Sequence, residues 1–516
     1  MRARPVRPAV AFALVVLSSV SLAQRSVRRA WGPHDAARAD FDAEEFWLPR
    51  HHIVLERSRL QYPAVALPPH RAAKLKFKQP KRISTDVLDA PPASLPTAQA
   101  ETQTEPYVAV NPENDKHLVA GWQETRFTDG GARSLGVAVS RNGGRRWTDA
   151  LIPGLAVADG GEWNRASDPW PAFGPDGVVY FNSLLVGDGQ GNGPLGSSAI
   201  AVSVSRDGGS TWGEPVLLAR DKFDFHDKNS MVVDTVAGSR HRGNAYVAWD
   251  INLLRPGTGG QRMVWSRSTD EGLTWSKPKR IAEGGTNIGV ILRVGPDGTL
   301  YAIWAGASAG DANLSLRLAK STNGGRSFGK VTTISDFLAA GVAGYRAGAI
   351  LPSFDIDPTT GDLFVVFPDA RFTGVDQAAL IVSRDGGDTW SAPARVNDGP
   401  ASSPAMTVGV TTNQAGHVLV GYYTLRNDKG PGTMLDYYVN RSTDGGATFE
   451  KGVRVTRKSF DATEAAKAGG ALSIFLGDYV GLAGGTKSFF AVFTAPLKAS
   501  KLGPGRQPDI FGAVAR

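Results

Sequence analysis

SRDGGSTW, from Ser205 to Trp212, is one of six versions of a single eight-residue pattern. The others are SRNGGRRW from Ser140, STDEGLTW from Ser268, STNGGRSF from Ser321, SRDGGDTW from Ser383 and STDGGATF from Ser442. Successive copies begin 65, 63, 53, 62 and 59 residues apart. A period of that size, held six times, marks an array of similar supersecondary units. Each copy lies between runs that read as strands. Arg262-Met263-Val264-Trp265-Ser266 precedes the third, and Lys277-Pro278-Lys279-Arg280-Ile281 follows it. The pattern is therefore a hairpin connection. Its Gly-Gly or Glu-Gly supplies positive φ without a Cβ penalty. Its Asp or Asn oxygen accepts hydrogen bonds from N–H groups of the same turn, so Asn142 and Asn323 serve as well as Asp. The closing aromatic (Trp147, Trp212, Trp275, Phe328, Trp390 or Phe449) gives each unit an apolar wedge. Turn geometry accounts for these carboxylates, which assigns them a structural role.

A strand-turn-strand segment recurs seven times. The pairs are Tyr107–Val110 with Leu118–Trp122, Ala172–Phe173 with Val178–Phe181, Met231–Asp234 with Ala245–Asp250, Val290–Val294 with Thr299–Trp304, Phe354–Ile356 with Leu363–Phe367, Met406–Val410 with Val418–Tyr423, and Asp478–Leu482 with Ser488–Phe493. Gly174-Pro175-Asp176-Gly177 and Gly295-Pro296-Asp297-Gly298 are turns between such strands. The hairpin adds strands three and four to each of the first six units. The expected fold is all-β, a seven-bladed β-propeller of four-stranded antiparallel blades, with six blades as the alternative. The seventh unit has a third strand at Asp509–Ala515 and no fourth. Residues 82–87, Arg82 to Val87, are the expected donor, closing the ring and covering its edge.

Residues 1–100 hold 16 Lys/Arg and 8 Asp/Glu, which accounts for the whole formal charge of +8. The repeat body, residues 101–516, is neutral and offers no global field for nucleic acid. Cysteine is absent, which excludes disulfides and thiol chemistry. Residues 1–23 read as a secretory signal: Arg2, Arg4 and Arg7, an apolar run from Ala9 to Val20, then small residues at Ser21 and Ala23. The alternative is a short membrane anchor, but the run is too short to span a bilayer comfortably, so cleavage is expected, with no transmembrane span after it and a secreted or periplasmic location. Residues 24–100 read as a basic, Pro-containing extension and linker, with a short helix over Phe41–Leu60 and solvated His51-His52. Lys74, Lys76, Lys78, Lys81 and Arg82 read as a charge run, solvated or weakly touching an anionic surface.

The six-fold pattern resembles the Asp-box, or BNR repeat, of the sialidase-like β-propeller superfamily. The resemblance runs from Glu105 to Gly481. It implies a glycan-directed function, with a sialidase-like glycoside hydrolase of the exo-α-sialidase type as one form. The alternative is a non-catalytic secreted propeller binding a glycan, a protein or a cell-envelope component. A monomer is expected. Sialidases hold the substrate carboxylate with three arginines, and use a Tyr paired with a Glu as nucleophile and an Asp as acid/base. Carried to this sequence, the substrate-binding set is Arg126, Arg371 and Arg426, Tyr479 is the nucleophile, and Asp168 or Asp227 is the acid. The Arg-Ile-Pro of the first sialidase arginine is replaced here by Pro106-Tyr107-Val108-Ala109-Val110.

Independently of that resemblance, polar residues recur in the loops that enter strand one and join strands two to three. Those entering strand one are Glu105, Asp168, His226-Asp227-Lys228, Tyr345-Arg346 and Asp478-Tyr479. Repeat geometry brings them around one axis. Three readings stand: Arg-paired structural carboxylates, a polar channel holding water or a divalent cation, and a catalytic carboxylate pair. No other cofactor is expected.

Overall fold

The computed structural model describes residues 70–191, 195–308, 314–499 and 506–515. The signal segment, the helix expected over Phe41–Leu60 and the His51-His52 pair lie outside the described residues. The described chain is all-β apart from short 3-10 turns. Among these residues no helix is long and apolar enough to cross a membrane.

The described strands fall into antiparallel sheets of mostly four strands; one eight-stranded sheet, joined through Ala132 and Ala166, supplies units 1 and 2, and unit 6 carries a short fifth strand. The first strands of the units are Gln103–Asn111, Arg165–Phe173, Phe225–Val233, Thr286–Val294, Ser353–Ile356, Ala405–Thr412 and Gly481–Gly484. Each first strand packs against that of the next unit, and the seventh packs against the first. Between each consecutive pair of units lies one hydrophobic core, seven in all, including one that joins unit 7 to unit 1 through Val108, Trp122, Phe490 and Val492. The second strand of unit 3 shows why these sequences are almost continuously apolar. Tyr246 and Ala248 enter the core shared with unit 4, while Val247 and Trp249 enter the core shared with unit 2. Successive side chains point to opposite faces, and both faces are covered.

The six hairpin turns share one hydrogen-bond pattern. In unit 2 the Ser205 hydroxyl donates to Asp207 Oδ1 at 2.8 Å and accepts from Gly209 N–H at 2.7 Å. Asp207 Oδ1 also accepts from the N–H groups of Ser210 and Thr211, both at 2.9 Å. The second glycine also makes the turn a contact between units. At Gly325, with φ +67°, an added Cβ would lie 2.5 Å from the Tyr246 ring of unit 3, and at Gly209 it would lie 2.8 Å from Val139 of unit 1.

Unit 7 completes its sheet with residues from far upstream. Lys81–Arg82 pairs antiparallel with Gly512 and Phe511, and Ile83 N–H donates to Ile510 O. The ladder stops sooner than residues 82–87 would suggest. Asp86 is drawn aside by Arg82, Gln103 and Gln507, and Thr85 bonds to Asp149 of unit 1. The basic run before it is not merely solvated. Its alternation puts Leu75 in the core between units 6 and 7 with Phe77 packed against it, while Lys74 N–H and Leu75 N–H donate to Glu450. Arg82 is paired with Asp509 at 2.5 Å.

Candidate functional site

The first strands of units 1, 2, 3, 4 and 6 carry a bulge at the same place. Pairing skips two residues between Thr104 and Tyr107, Ser167 and Trp170, Asp227 and Ser230, Ile288 and Ile291, and Met406 and Gly409. The first skipped residue has positive φ each time: Glu105 (58°), Asp168 (52°), Lys228 (44°), Gly289 (70°) and Thr407 (47°). For the four that are not glycine this conformation costs about 1–2 kcal/mol each. Bulges re-aim side chains. Here they bring Glu105, Asp168 and Lys228 to the wall of one cavity at the end of the units where the first strands begin. The hairpin turns, joining strands three and four, lie at the opposite end.

That cavity is also lined by Gln123, Arg126, Ser167, Phe225, Asp227 and Asp478. Asp478 is its electrostatic hub. Lys228 Nζ donates to its Oδ2 at 2.5 Å, and Arg346 donates to Oδ1 at 3.2 Å and to Oδ2 at 2.7 Å. Asp478 N–H donates to Glu105 Oε1 at 3.2 Å. Gln123 donates to Glu105 and, at 2.8 Å, to Ser167 Oγ, and accepts from Arg126 Nη1 at 2.6 Å. Ser167 Oγ donates to Asp168 Oδ1 at 2.8 Å. The Arg126 and Arg346 guanidinium groups lie 3.8 and 5.2 Å from the centroid of the Phe475 ring. Arg346 and Phe475 belong to a small sheet of Tyr345–Arg346, Ala466–Ala468 and Ser473–Phe475. Gln99 ties that sheet to unit 1 through Lys467 and Arg126 O.

The cavity continues along the axis. A second chamber shares Lys228 and Asp478 with the first and is walled by Tyr107, Trp170, Asn229 and Tyr479. Tyr107 and Trp170 stack with ring centroids 3.7 Å apart. A third shares Tyr107, Trp170 and Arg293 with the second and reaches the far end of the first strands.

Burial sets the protonation of this cluster. It raises Glu105 well above the carboxylate range, helped by the nearby Asp478 and Asp168 charges. It pushes Asp227 up to about 7, with Asp168 adding repulsion, and raises Asp250, which pairs across the strands with Asp227. Burial also acts on Asp478, but Arg346 and Lys228 overcome it and hold that group well below the usual range. His226 is lowered by burial to about 4 and accepts from Trp249 Nε1 at 2.8 Å, so it is a neutral ring at pH 7. Tyr479 is pushed well up, by burial first and then by Asp168 and Glu105, so it is a phenol rather than a phenolate.

No family model matches this chain, and no curated protein matches it. Solved structures are similar at low identity. A protein of unknown function from Dyadobacter fermentans DSM 18053 matches at 13% identity and TM-score 0.44, covering 86% of this chain and 99% of that one. The Hadza microbial sialidase Hz136 matches at 16% and 0.43, covering 77% and 73%. A Penicillium chrysogenum α-L-arabinanase bound to arabinobiose matches at 13% and 0.45, covering 67% and 94%.

Of the residues singled out in the sequence, Arg126, Asp168 and Asp227 line the first cavity and Tyr479 the second. Arg371 and Arg426 do not join them. Arg371 turns back on Asp369 at 2.5 Å and donates to Asp336 O. Arg426 pairs with Asp398 at 2.9 Å and lies over the Tyr438 ring. Neither lines the cavity that holds Arg126, so the three expected arginines are not brought together there. Sequence reasoning noted Lys228 and Arg346 in the right loops and missed their part as joint partners of Asp478. One signal was available. Glu105-Pro106-Tyr107 and Asp168-Pro169-Trp170 repeat an acid-Pro-aromatic triplet at one register of units 1 and 2, and both acids and both aromatics face the axis. Among the described residues no group of three or more His, Asp or Glu stands as a metal-holding set.

Proposed function

We propose that this chain is an exported seven-bladed Asp-box propeller that acts on a glycan at the carboxylate-lined end of its axis. One observation carries the reading: Glu105, Asp168, Asp227 and Asp478, contributed by units 1, 2, 3 and 7, converge with Lys228 on one cavity. The cycle of seven inter-sheet cores and the Lys81–Arg82 strand on unit 7 support the seven-bladed, strand-closed form. The apolar run after Arg7 supports export.

Glycoside hydrolysis needs a carboxyl that holds its proton near neutral pH and a second carboxyl opposite it. Asp227, held near 7 by burial, is the general acid. Asp168 supplies the second carboxyl. Tyr479, a phenol in the adjoining chamber, orients substrate by hydrogen bonding. Arg126 faces the cavity as a positioning residue. A sialic acid requires a cationic clamp for its carboxylate. Arg371 and Arg426 are engaged elsewhere, which favours a sugar without a carboxylate.

The test is release of aryl alcohol from a panel of aryl glycosides by chain lacking residues 1–23. Turnover on at least one neutral glycoside is expected, with kcat reduced about 100-fold or more in Asp227→Asn. The pairing-off of Arg371 and Arg426 also favours a binding module, the second reading. Glycan binding in calorimetry without turnover on any glycoside establishes that reading instead.

A further inference from the structure

Residues 71–81 cross the hairpin end of the molecule as a row of cations. Arg71 pairs with Asp444 of the unit 6 turn at 3.1 Å, and Lys81 Nζ donates to Arg145 O of the unit 1 turn at 3.2 Å. Unit 7 has no copy of that turn, and this segment spans the gap. Its backbone is held along the way. Lys74 N–H and Leu75 N–H donate to Glu450, Phe77 bridges to Ala515, and Lys78 N–H donates to Val514 O at 2.8 Å. With Leu75 and Phe77 turned to the core, Lys74, Lys76 and Lys78 face solvent. Lys81, Arg145 and Arg146 are exposed and continue the line. Among the described residues none of these six cations is in an ion pair. The nearby carboxylates are committed elsewhere. Glu450 serves the two backbone N–H groups and Arg441, and Asp149 accepts from Thr85. At other turns a base meets a carboxylate of the next unit, as Arg206 meets Glu271 and Lys320 meets Asp388.

We propose that this row is a docking surface for a linear acidic polysaccharide, which holds the protein by the end opposite its cavity. The inference does not rest on the glycan reading of the cavity. A polymer with a carboxylate on each sugar supplies the charge that the row lacks, repeated along a line as the lysines are. Lysine is a compact charge on a flexible stem, so it tolerates variable spacing in such a partner. The backbone beneath is already fixed, which lowers the ordering cost of binding. A membrane is a poorer partner, because interfacial binding needs apolar area beside the charge. The large apolar side chains exposed among the described residues are Val87, Val157, Leu217, Leu273 and Leu472, and only Val87 lies near the row in the chain. Single-stranded nucleic acid calls for aromatic platforms. Phe77, the one aromatic residue of 71–81, packs against the core instead.

The experiment is binding of chain lacking residues 1–23 to immobilised polygalacturonate at low ionic strength. Fully methyl-esterified polygalacturonate, the same backbone without its charge, is the reference. Binding to the acid form alone is expected, weakening steeply as salt is raised. One variant carries Lys74→Gln, Lys76→Gln, Lys78→Gln and Lys81→Gln together, and should bind at least about tenfold more weakly, equivalent to about 1.4 kcal/mol. A second carries Arg240→Gln, Lys277→Gln, Lys330→Gln and Lys458→Gln, which removes the same charge from exposed positions elsewhere, and should bind like the unaltered chain. Melting curves check that both fold; the comparison of acid and ester forms on the unaltered chain does not depend on them. Equal weakening in the two variants would assign the binding to net charge and overturn the proposal. So would no binding to polygalacturonate, or binding to duplex DNA or to vesicles of phosphatidylglycerol and phosphatidylcholine in equal parts that matches binding to the polymer. Asp227→Asn should leave polymer binding unchanged; its loss there would place the polymer in the cavity and overturn the docking surface, while the aryl glycosides test the glycan reading separately.

Discussion

The two ends of the sheets hold the same side chain under opposite conditions. At the hairpin end, Asp207 sits in water and accepts from the Thr211 N–H, the Thr211 hydroxyl and the Ser205 hydroxyl, which together hold its carboxyl well below the usual range. Asp385 repeats this with Thr389 and Ser383. Asp270 and Asp444 are partly desolvated, which works against them, yet the bonds from Thr274 and Thr448 still win. At the cavity end, Glu105, Asp227 and Asp250 each have too few donors to offset burial, and all three go up. The number of donors within reach, set against lost water, decides the direction. The hairpin carboxylates complete their bonding inside one turn. The cavity carboxylates depend on residues from other units, and what those residues leave unmet is available to a ligand.

This contrast breaks most sharply at Asp478. Asp478→Ala leaves Lys228 and Arg346 buried without their shared partner, and should cost about 3–5 kcal/mol in urea unfolding. A loss below about 1 kcal/mol would mean that solvent already reaches the cluster. The hairpin end should break through packing instead. Gly325→Ala forces a Cβ against the Tyr246 ring in a left-handed conformation and should cost about 2–3 kcal/mol. Gly243→Ala, also at positive φ but in open space, should cost less and serves as its control.

Titration sharpens the comparison. A carboxyl raised on folding stabilises fully below its unfolded value, about 4, and that contribution is lost as pH climbs through the folded value. For Asp227 the window is about pH 4 to 7, with a slope of up to ~1.4 kcal/mol per pH unit. Asp227→Asn should flatten the stability profile in that window; an unchanged slope would show that Asp227 is ionised throughout. The hairpin carboxylates act with the other sign. They are lowered on folding, so their contribution is present above about pH 4 and lost on acidification. The smallest effect belongs to a single turn. Ser205→Ala removes two hydrogen bonds and should cost about 1 kcal/mol, with ligand binding at the other end unaltered.

The same contrast explains what the sequence disclosed. A hairpin turn is specified by eight contiguous residues whose partners are one another, so its bonding was legible down to the Asn-for-Asp exchanges. The meeting of Glu105, Asp168, Asp227 and Asp478 was legible because repeat register places strand starts together. Their partners were not. Arg346 and Lys228 lie 132 and 250 residues from Asp478, and nothing near any of the three announces the pairing. Arg371 shows the converse: Asp369, two residues back, captures it before any distant group. The bulges at Glu105, Asp168 and Lys228 carry no glycine to betray positive φ.

The sheet that joins Lys81–Arg82 to the strand Arg506–Ala515 also sets a timetable. Ser84 Oγ accepts from Ile510 N–H, a partner 426 residues later. At about 5–20 residues per second, ribosomal synthesis separates the two by roughly 20–85 seconds. For that interval unit 7 and the core it shares with unit 1 do not exist, and the edge of unit 1 that carries Val108 and Trp122 is uncovered. The nascent chain is thus a growing arc with one apolar face waiting for its neighbour. Aggregation during synthesis, more than any weakness of the finished molecule, should limit how well this protein is produced.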